Sequence, residues 1–81
     1  MGSVKVQYFA MLKEQAGKSR EEIEIGPGHT VAELYQNLAE QYGFVLEQKN
    51  LRFAKNEQFV APTTVVEPGD EVVFIPPVSG G

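Results

Sequence analysis

At 81 residues the chain is long enough for one hydrophobic core and too short for two. Its formal net charge is −4, and its cations (Lys5, Lys13, Lys18, Arg20, Lys49, Arg52 and Lys55) are scattered, which argues against a nucleic-acid partner because phosphate contacts need clustered cations. There is no cysteine, so disulfides, thiolate metal sites and a Cys nucleophile are excluded.

Val4-Lys5-Val6-Gln7-Tyr8 alternates apolar and polar, the period of a half-buried strand. Phe9-Ala10-Met11-Leu12 ends the alternation and starts a short helical turn that Gly17 closes. Glu22-Ile23-Glu24-Ile25 alternates again and stops at Gly26-Pro27-Gly28, so the first two strands form a hairpin with an embellished loop. Thr30-Val31-Ala32-Glu33 has the form of a capping box, a hydroxyl at the N-cap with a carboxylate three residues on. Behind it Val31, Leu34, Tyr35, Leu38 and Tyr42 make one apolar stripe, and Gly43 stands where a left-handed C-cap is wanted, predicting a helix from Val31 to Tyr42. Leu51-Arg52-Phe53-Ala54 and Gln58-Phe59-Val60 read as short strands around a Lys55-Asn56-Glu57 turn, and Pro62-Thr63-Thr64 as loop. Glu67-Pro68-Gly69-Asp70 has Pro and Gly at the centre of a type II turn. Val72-Val73-Phe74-Ile75 is an apolar run suited to a central strand buried on both faces, and Pro76-Pro77 ends it.

A hairpin, a returning helix and further strands in one sheet are the β-grasp plan. The expected fold is therefore α+β and ubiquitin-like, a mixed sheet of about five strands with one main helix packed on one face. Residues 1–75 would be the domain and 76–81 a projecting tail. His29 is the only histidine and has no second ligand beside it, so no metal site is expected. Glu22 and Glu24 share the wet face of their strand, and Gly26-Pro27-Gly28 lacks the lysine of a P-loop, so it reads as a turn and no cofactor-binding site is expected. No stretch reaches the ~18 apolar residues of a membrane span, no signal peptide opens the chain, and Val6 stands where a myristoylation motif wants Ser or Thr. A cytoplasmic location without membrane contact is the expectation.

The tail carries the sharpest signal. Terminal glycines are usually slack. Here they follow a strand and a proline pair that stiffens the base of the tail, and they leave the terminal carboxylate slim enough to enter a narrow channel in another protein. Pro76-Pro77-Val78-Ser79-Gly80-Gly81, after Gly69-Asp70-Glu71-Val72, resembles the C-terminal signature of the small subunits of molybdopterin synthase, the MoaD family. Val6-Gln7-Tyr8-Phe9-Ala10 resembles that family's first strand.

The resemblance implies a sulfur carrier, not an enzyme on its own, with no stably bound cofactor. It implies that an E1-like enzyme uses ATP to adenylate Gly81, that a sulfur donor protein converts the adenylate to a thiocarboxylate, and that Gly80 accompanies Gly81 as the working end. The carrier would then insert its tail into the large synthase subunit, in a heterotetramer, and give sulfur to cyclic pyranopterin monophosphate to build the molybdopterin dithiolene.

Phe9, Phe59 and Ile75 are expected on the sheet face away from the helix, forming with Pro76, Pro77, Val78 and Ser79 the surface that meets the large subunit. Competing readings are a carrier for thiazole or thionucleoside synthesis, a ubiquitin-like modifier joined through Gly81 to target lysines, and a plain binding module.

Overall fold

The computed structural model describes residues 2–77. Strand β1 (Gly2–Tyr8) leads through helix α1 (Ala10–Ala16) to β2 (Arg20–Ile25), helix α2 (Val31–Tyr42), a 3-10 turn (Gln48–Asn50), β3 (Arg52–Lys55), β4 (Gln58–Val60) and β5 (Glu71–Ile75). The five strands form one sheet in the order β2-β1-β5-β3-β4. β1 runs antiparallel to β2 and parallel to β5, with Val6 opposite Val72 and Tyr8 opposite Phe74, while β3 is antiparallel to β4 and β5. This is the expected β-grasp, with β5 at its centre.

The local chemistry behaves as the residue types dictate. The Thr30 hydroxyl accepts from the Glu33 N–H at 3.1 Å while the Glu33 carboxylate accepts from the Thr30 N–H at 3.0 Å, closing the capping box. Gly43 ends α2 at φ 74° and donates to the Ala39 carbonyl, a left-handed cap that a Cβ would strain. Asp70 N–H donates to the Glu67 carbonyl at 3.0 Å and Gly69 lies at φ 90°, as a type II turn requires. The β3–β4 turn is the mirror-image kind, with Asn56 and Glu57 at φ 52° and 72°.

One face of the sheet is dry. Val4, Val6, Tyr8, Phe53, Val72 and Phe74 pack beneath Val31, Leu34, Tyr35 and Leu38 of α2, all essentially without solvent contact. Edge-on aromatic contacts knit this layer, with the Tyr35 and Phe74 rings 5.1 Å apart and those of Phe53 and Phe74 5.7 Å apart. The other face is open. Val73 and Ile75 are only half-buried, which corrects the expectation that the whole apolar run of β5 is covered on both sides. The helices lie on one side only, so the run is apolar for a second reason that concerns the site.

A carboxylate sits at the rim of the core. Glu21, opposite Val6 on the inner face of β2, accepts from the Tyr8 hydroxyl at 2.5 Å and from the Tyr42 hydroxyl at 2.6 Å, with Lys18 Nζ at 3.4 Å. Burial alone would raise its pKa, but the hydrogen bonds from Tyr42, Tyr8 and Lys18 outweigh it and hold Glu21 below the ordinary 4.5. The Tyr8 phenol is pushed well above its ordinary value, by burial first and then by the bond to Glu21. Because the Glu21 pKa is lower in the folded chain than in the unfolded one, the clamp stabilises fully above the ordinary value and is lost as pH falls through the folded one.

Deleting the Tyr8 hydroxyl (Tyr8→Phe) should cost about 1–2 kcal/mol at neutral pH. Glu21→Gln should flatten the loss of stability below pH 4.5. Urea midpoints at about pH 7 and about pH 3 check both, and a Glu21→Gln penalty of the same size at the two pH values would contradict this account.

Candidate functional site

The site begins where β5 ends. β5 is hydrogen-bonded on both sides, to β1 and to β3, and its first residue is held a second time: Glu71 N–H donates to Asn56 Oδ1 at 2.9 Å and the Glu71 carbonyl accepts from Asn56 N–H at 2.8 Å. Asp70, just before it, accepts from Asn56 Nδ2 and Glu67 N–H and lies 3.5 Å from Lys55 Nζ. Burial would raise the Asp70 pKa, but the Asn56 and Glu67 donors and the Lys55 charge hold it below the usual carboxylate value. Both ends of the strand are thus fixed before Pro76, which has no N–H to continue the ladder. Pro76 is half-buried and Pro77 exposed. Val78, Ser79, Gly80 and Gly81 lie outside the described residues.

Beside this exit the open face carries an apolar patch. Register aligns Gln7, Val73, Ala54 and Phe59 in one cross-strand row, with Ile75 and Arg52 in the next. Phe59 is 68% exposed, far more than an aromatic ring needs to be in a folded domain, while Ala54 beside it is buried although it too faces outward. The expected placement of Phe59 and Ile75 on the open face therefore holds, with β3 between their strands.

Phe9 does not join them as a strand residue. β1 ends at Tyr8, and Ala10 takes a left-handed φ of 53° that swings the chain out of the sheet and into α1, leaving Phe9 at the cap of that helix. This corrects the expected position. Because β1 and β5 run parallel with Tyr8 opposite Phe74, Phe9 (43% exposed) still lies at the same end of the sheet as Ile75. Sequence reasoning missed Val73 and Arg52. Both could have been found from strand parity, since each neighbours a core aromatic, Phe74 or Phe53, and must point the other way.

The remaining surface features are structural. Across β2, β1 and β5 a shallow depression is lined by Lys5, Gln7, Arg20, Glu21, Glu22, Glu71 and Val73, with Lys5 set between Glu22 and Glu71. A second depression, at the start of α2, contains His29 and Asn37. There His29 Nδ1 lies 3.4 Å from the Gly26 N–H and Nε2 lies 3.2 Å from the Asn37 amide, which fastens Gly26-Pro27-Gly28 as a turn. No group of three or more metal-ligating side chains occurs among the described residues. No helix among them is long and apolar enough to cross a membrane.

A strand end held on both sides, a proline pair and an apolar patch thus lie together on one side of the sheet. Comparison with known proteins agrees with that form. The model of the ThiS family matches residues 6–81. The chain is 40% identical over 81 residues to a molybdopterin synthase sulfur carrier subunit of Chlamydomonas reinhardtii, covering 96% of this chain and 98% of that one. Among solved structures it is similar to SAMP1 of Haloferax volcanii, with a TM-score of 0.82 at 26% identity, covering 99% of this chain and all of that one. It also resembles a chain in the complex of subunits 1 and 2 of molybdopterin-converting factor from Helicobacter pylori, with a TM-score of 0.68 at 25% identity over 98% of this chain and 99% of that one.

Proposed function

Because the chain belongs to the ThiS family, we propose that it is the sulfur-carrier subunit of a molybdopterin synthase, working through the carboxylate of Gly81. The observation that carries the reading is the coincidence of the tail with the sheet. PPVSGG follows the strand that is pinned on both sides, beside exposed Phe9 and Phe59 and the outward-facing, half-buried Ile75.

A carboxylate is a poor acyl donor, so it must be activated before sulfur can replace oxygen. An adenylating enzyme joins the Gly81 carboxylate to the α-phosphate of ATP and releases pyrophosphate. The outer sulfur of a donor persulfide then attacks the acyl carbon and AMP leaves; a second thiol of the donor cleaves the resulting S–S bond, which leaves the thiocarboxylate on Gly81 and a disulfide on the donor. ATP belongs to the activating enzyme, and the carrier needs no resident cofactor. The chain offers no cysteine, so the main-chain terminus is the place for the sulfur. The patch docks the large subunit, whose acceptor is cyclic pyranopterin monophosphate, and two carriers in a heterotetramer supply the two sulfurs of the dithiolene. The need for ATP and for the activating enzyme supports a cytoplasmic location as part of this proposal.

The match to SAMP1, a small archaeal modifier protein, favours a second use of the same activated end, an isopeptide bond to target lysines. The two uses share the adenylate and diverge at the nucleophile, a sulfur donor in one case and a lysine amine in the other. Carrier products stay at one chain mass, and conjugates add the mass of the target.

Deleting Gly80 and Gly81 tests whether the tail is functional or structural. The core closes with Phe74, ahead of the prolines, so thermal stability should change by only about a few tenths of a kcal/mol, while sulfur transfer to the large subunit should vanish. A large fall in melting temperature would make the tail part of the fold and remove the basis of the proposal.

A further inference from the structure

Within the docking face just proposed, on which this inference rests, one charge stands apart. The half of the open face formed by β3, β4 and the end of β5 presents Val73, Ile75, Ala54 and Phe59, and its one charged strand residue among those described is Arg52. The Arg52 guanidinium lies over the Phe59 ring, 5.8 Å from its centre. Arg52 is exposed and, like Lys5, Lys13 and Arg20, makes no ion pair among the described residues, but it alone of these four lies over an aromatic ring. It is also opposite Ile75 in the last pair of the β3–β5 ladder, directly at the foot of the tail.

We infer that Arg52 determines partner specificity on this face, by receiving a carboxylate side chain of the synthase large subunit at the margin of the apolar contact. The Phe59 ring holds the flat guanidinium against the sheet by cation–π attraction, so little side-chain freedom remains to be lost on binding. A planar cation fixed in this way presents paired N–H donors in a geometry that fits a carboxylate and fits a lysine or an amide poorly. The surrounding apolar surface expels water once the partner docks, which strengthens the pair and makes an unmatched guanidinium costly. The chain is acidic as a whole, so on this half of the open face Arg52 is the cation that could draw in a carboxylate. Arg52 therefore fixes both the identity and the register of the docked subunit, and with it the point from which the tail enters.

The test is calorimetric titration of the full chain with the large subunit of the same organism, at low and high salt, for Arg52→Met, Arg52→Lys and Ile75→Asp, with far-UV circular dichroism confirming the fold of each. Arg52→Met keeps the apolar stem over Phe59 and removes the donors. It should weaken binding by about thirtyfold at low salt, less at high salt, and Arg52→Lys should recover only part of the loss. Ile75→Asp should abolish binding. If Arg52→Met binds like the parent, or its loss is the same at both salt concentrations, while Ile75→Asp fails to bind, the carboxylate contact is overturned and the docking face stands. If Ile75→Asp binds normally, the docking face itself is wrong and the inference falls with it.

Discussion

Appending one alanine after Gly81 should abolish activation while leaving the fold untouched. The acyl carbon must come within attacking distance of the ATP α-phosphate in the activating enzyme and later of the acceptor in the large subunit. One added residue moves the carboxylate by about 3.5 Å, and a misplacement of even ~1 Å costs on the order of a hundredfold in rate. The new Cβ would also enter a channel proposed to fit glycine. Circular dichroism and melting temperature should match the parent, because the last buried core residue among those described is Phe74. ATP-dependent pyrophosphate exchange with the activating enzyme reports adenylation, and intact mass reports thiolation. Wild-type rates without trimming of the alanine would mean that placement of Gly81 is not what makes this chain work.

The second large effect separates two neighbours on one strand. Phe74 has no solvent contact and touches the rings of Tyr35 and Phe53, whereas Ile75 is half-buried on the opposite face. Phe74→Ala should cost about 3–5 kcal/mol through lost burial and the cavity left behind, which is comparable with the whole stability of a core this small. The variant should be largely unfolded or melt far below the parent, and sulfur transfer would fail for that reason alone. Ile75→Asp should do the reverse, since its carboxylate stays in water in the free chain, whereas in the complex it would be desolvated within the apolar contact and would take up Arg52 opposite it. Thermal melts and binding to the large subunit, measured on both variants, give the contrast. An unfolded Ile75→Asp protein would show that the two faces of β5 are assigned the wrong way round.

Much of this was legible in the sequence because local physics settled it. The Thr30–Glu33 box and Gly43 bound α2 at the residues where the structure bounds it, and Pro68-Gly69 makes the turn its chemistry requires. What the sequence hid was non-local. Four consecutive apolar residues in β5 cannot by themselves say whether the second face meets a helix or a partner. Strand parity puts Val73 and Ile75 opposite Phe74, and the one-sided stacking of the helices shows that their face is open. Phe9 was expected on the open sheet face, but Ala10 turns the chain there in a conformation alanine seldom adopts, which makes Phe9 a helix cap. The Glu21 clamp joins residues up to 21 positions apart, and the Asn56–Glu71 bonds join two turns, so neither leaves a local pattern to read. The tail was the opposite case: its motif was plain in the residues, and its function depends on other proteins more than on its own contacts.

Sulfur is expected to ride on the C-terminal carbonyl of Gly81. The most direct measurement is the intact mass of the chain after incubation with ATP, its activating enzyme and a sulfur donor, followed by addition of the large subunit charged with cyclic pyranopterin monophosphate. The account predicts a gain of about 16 Da, sulfur in place of oxygen, confined to the C-terminal peptide and discharged when the acceptor is supplied. A mass that never changes, or a gain on any other peptide, would contradict it.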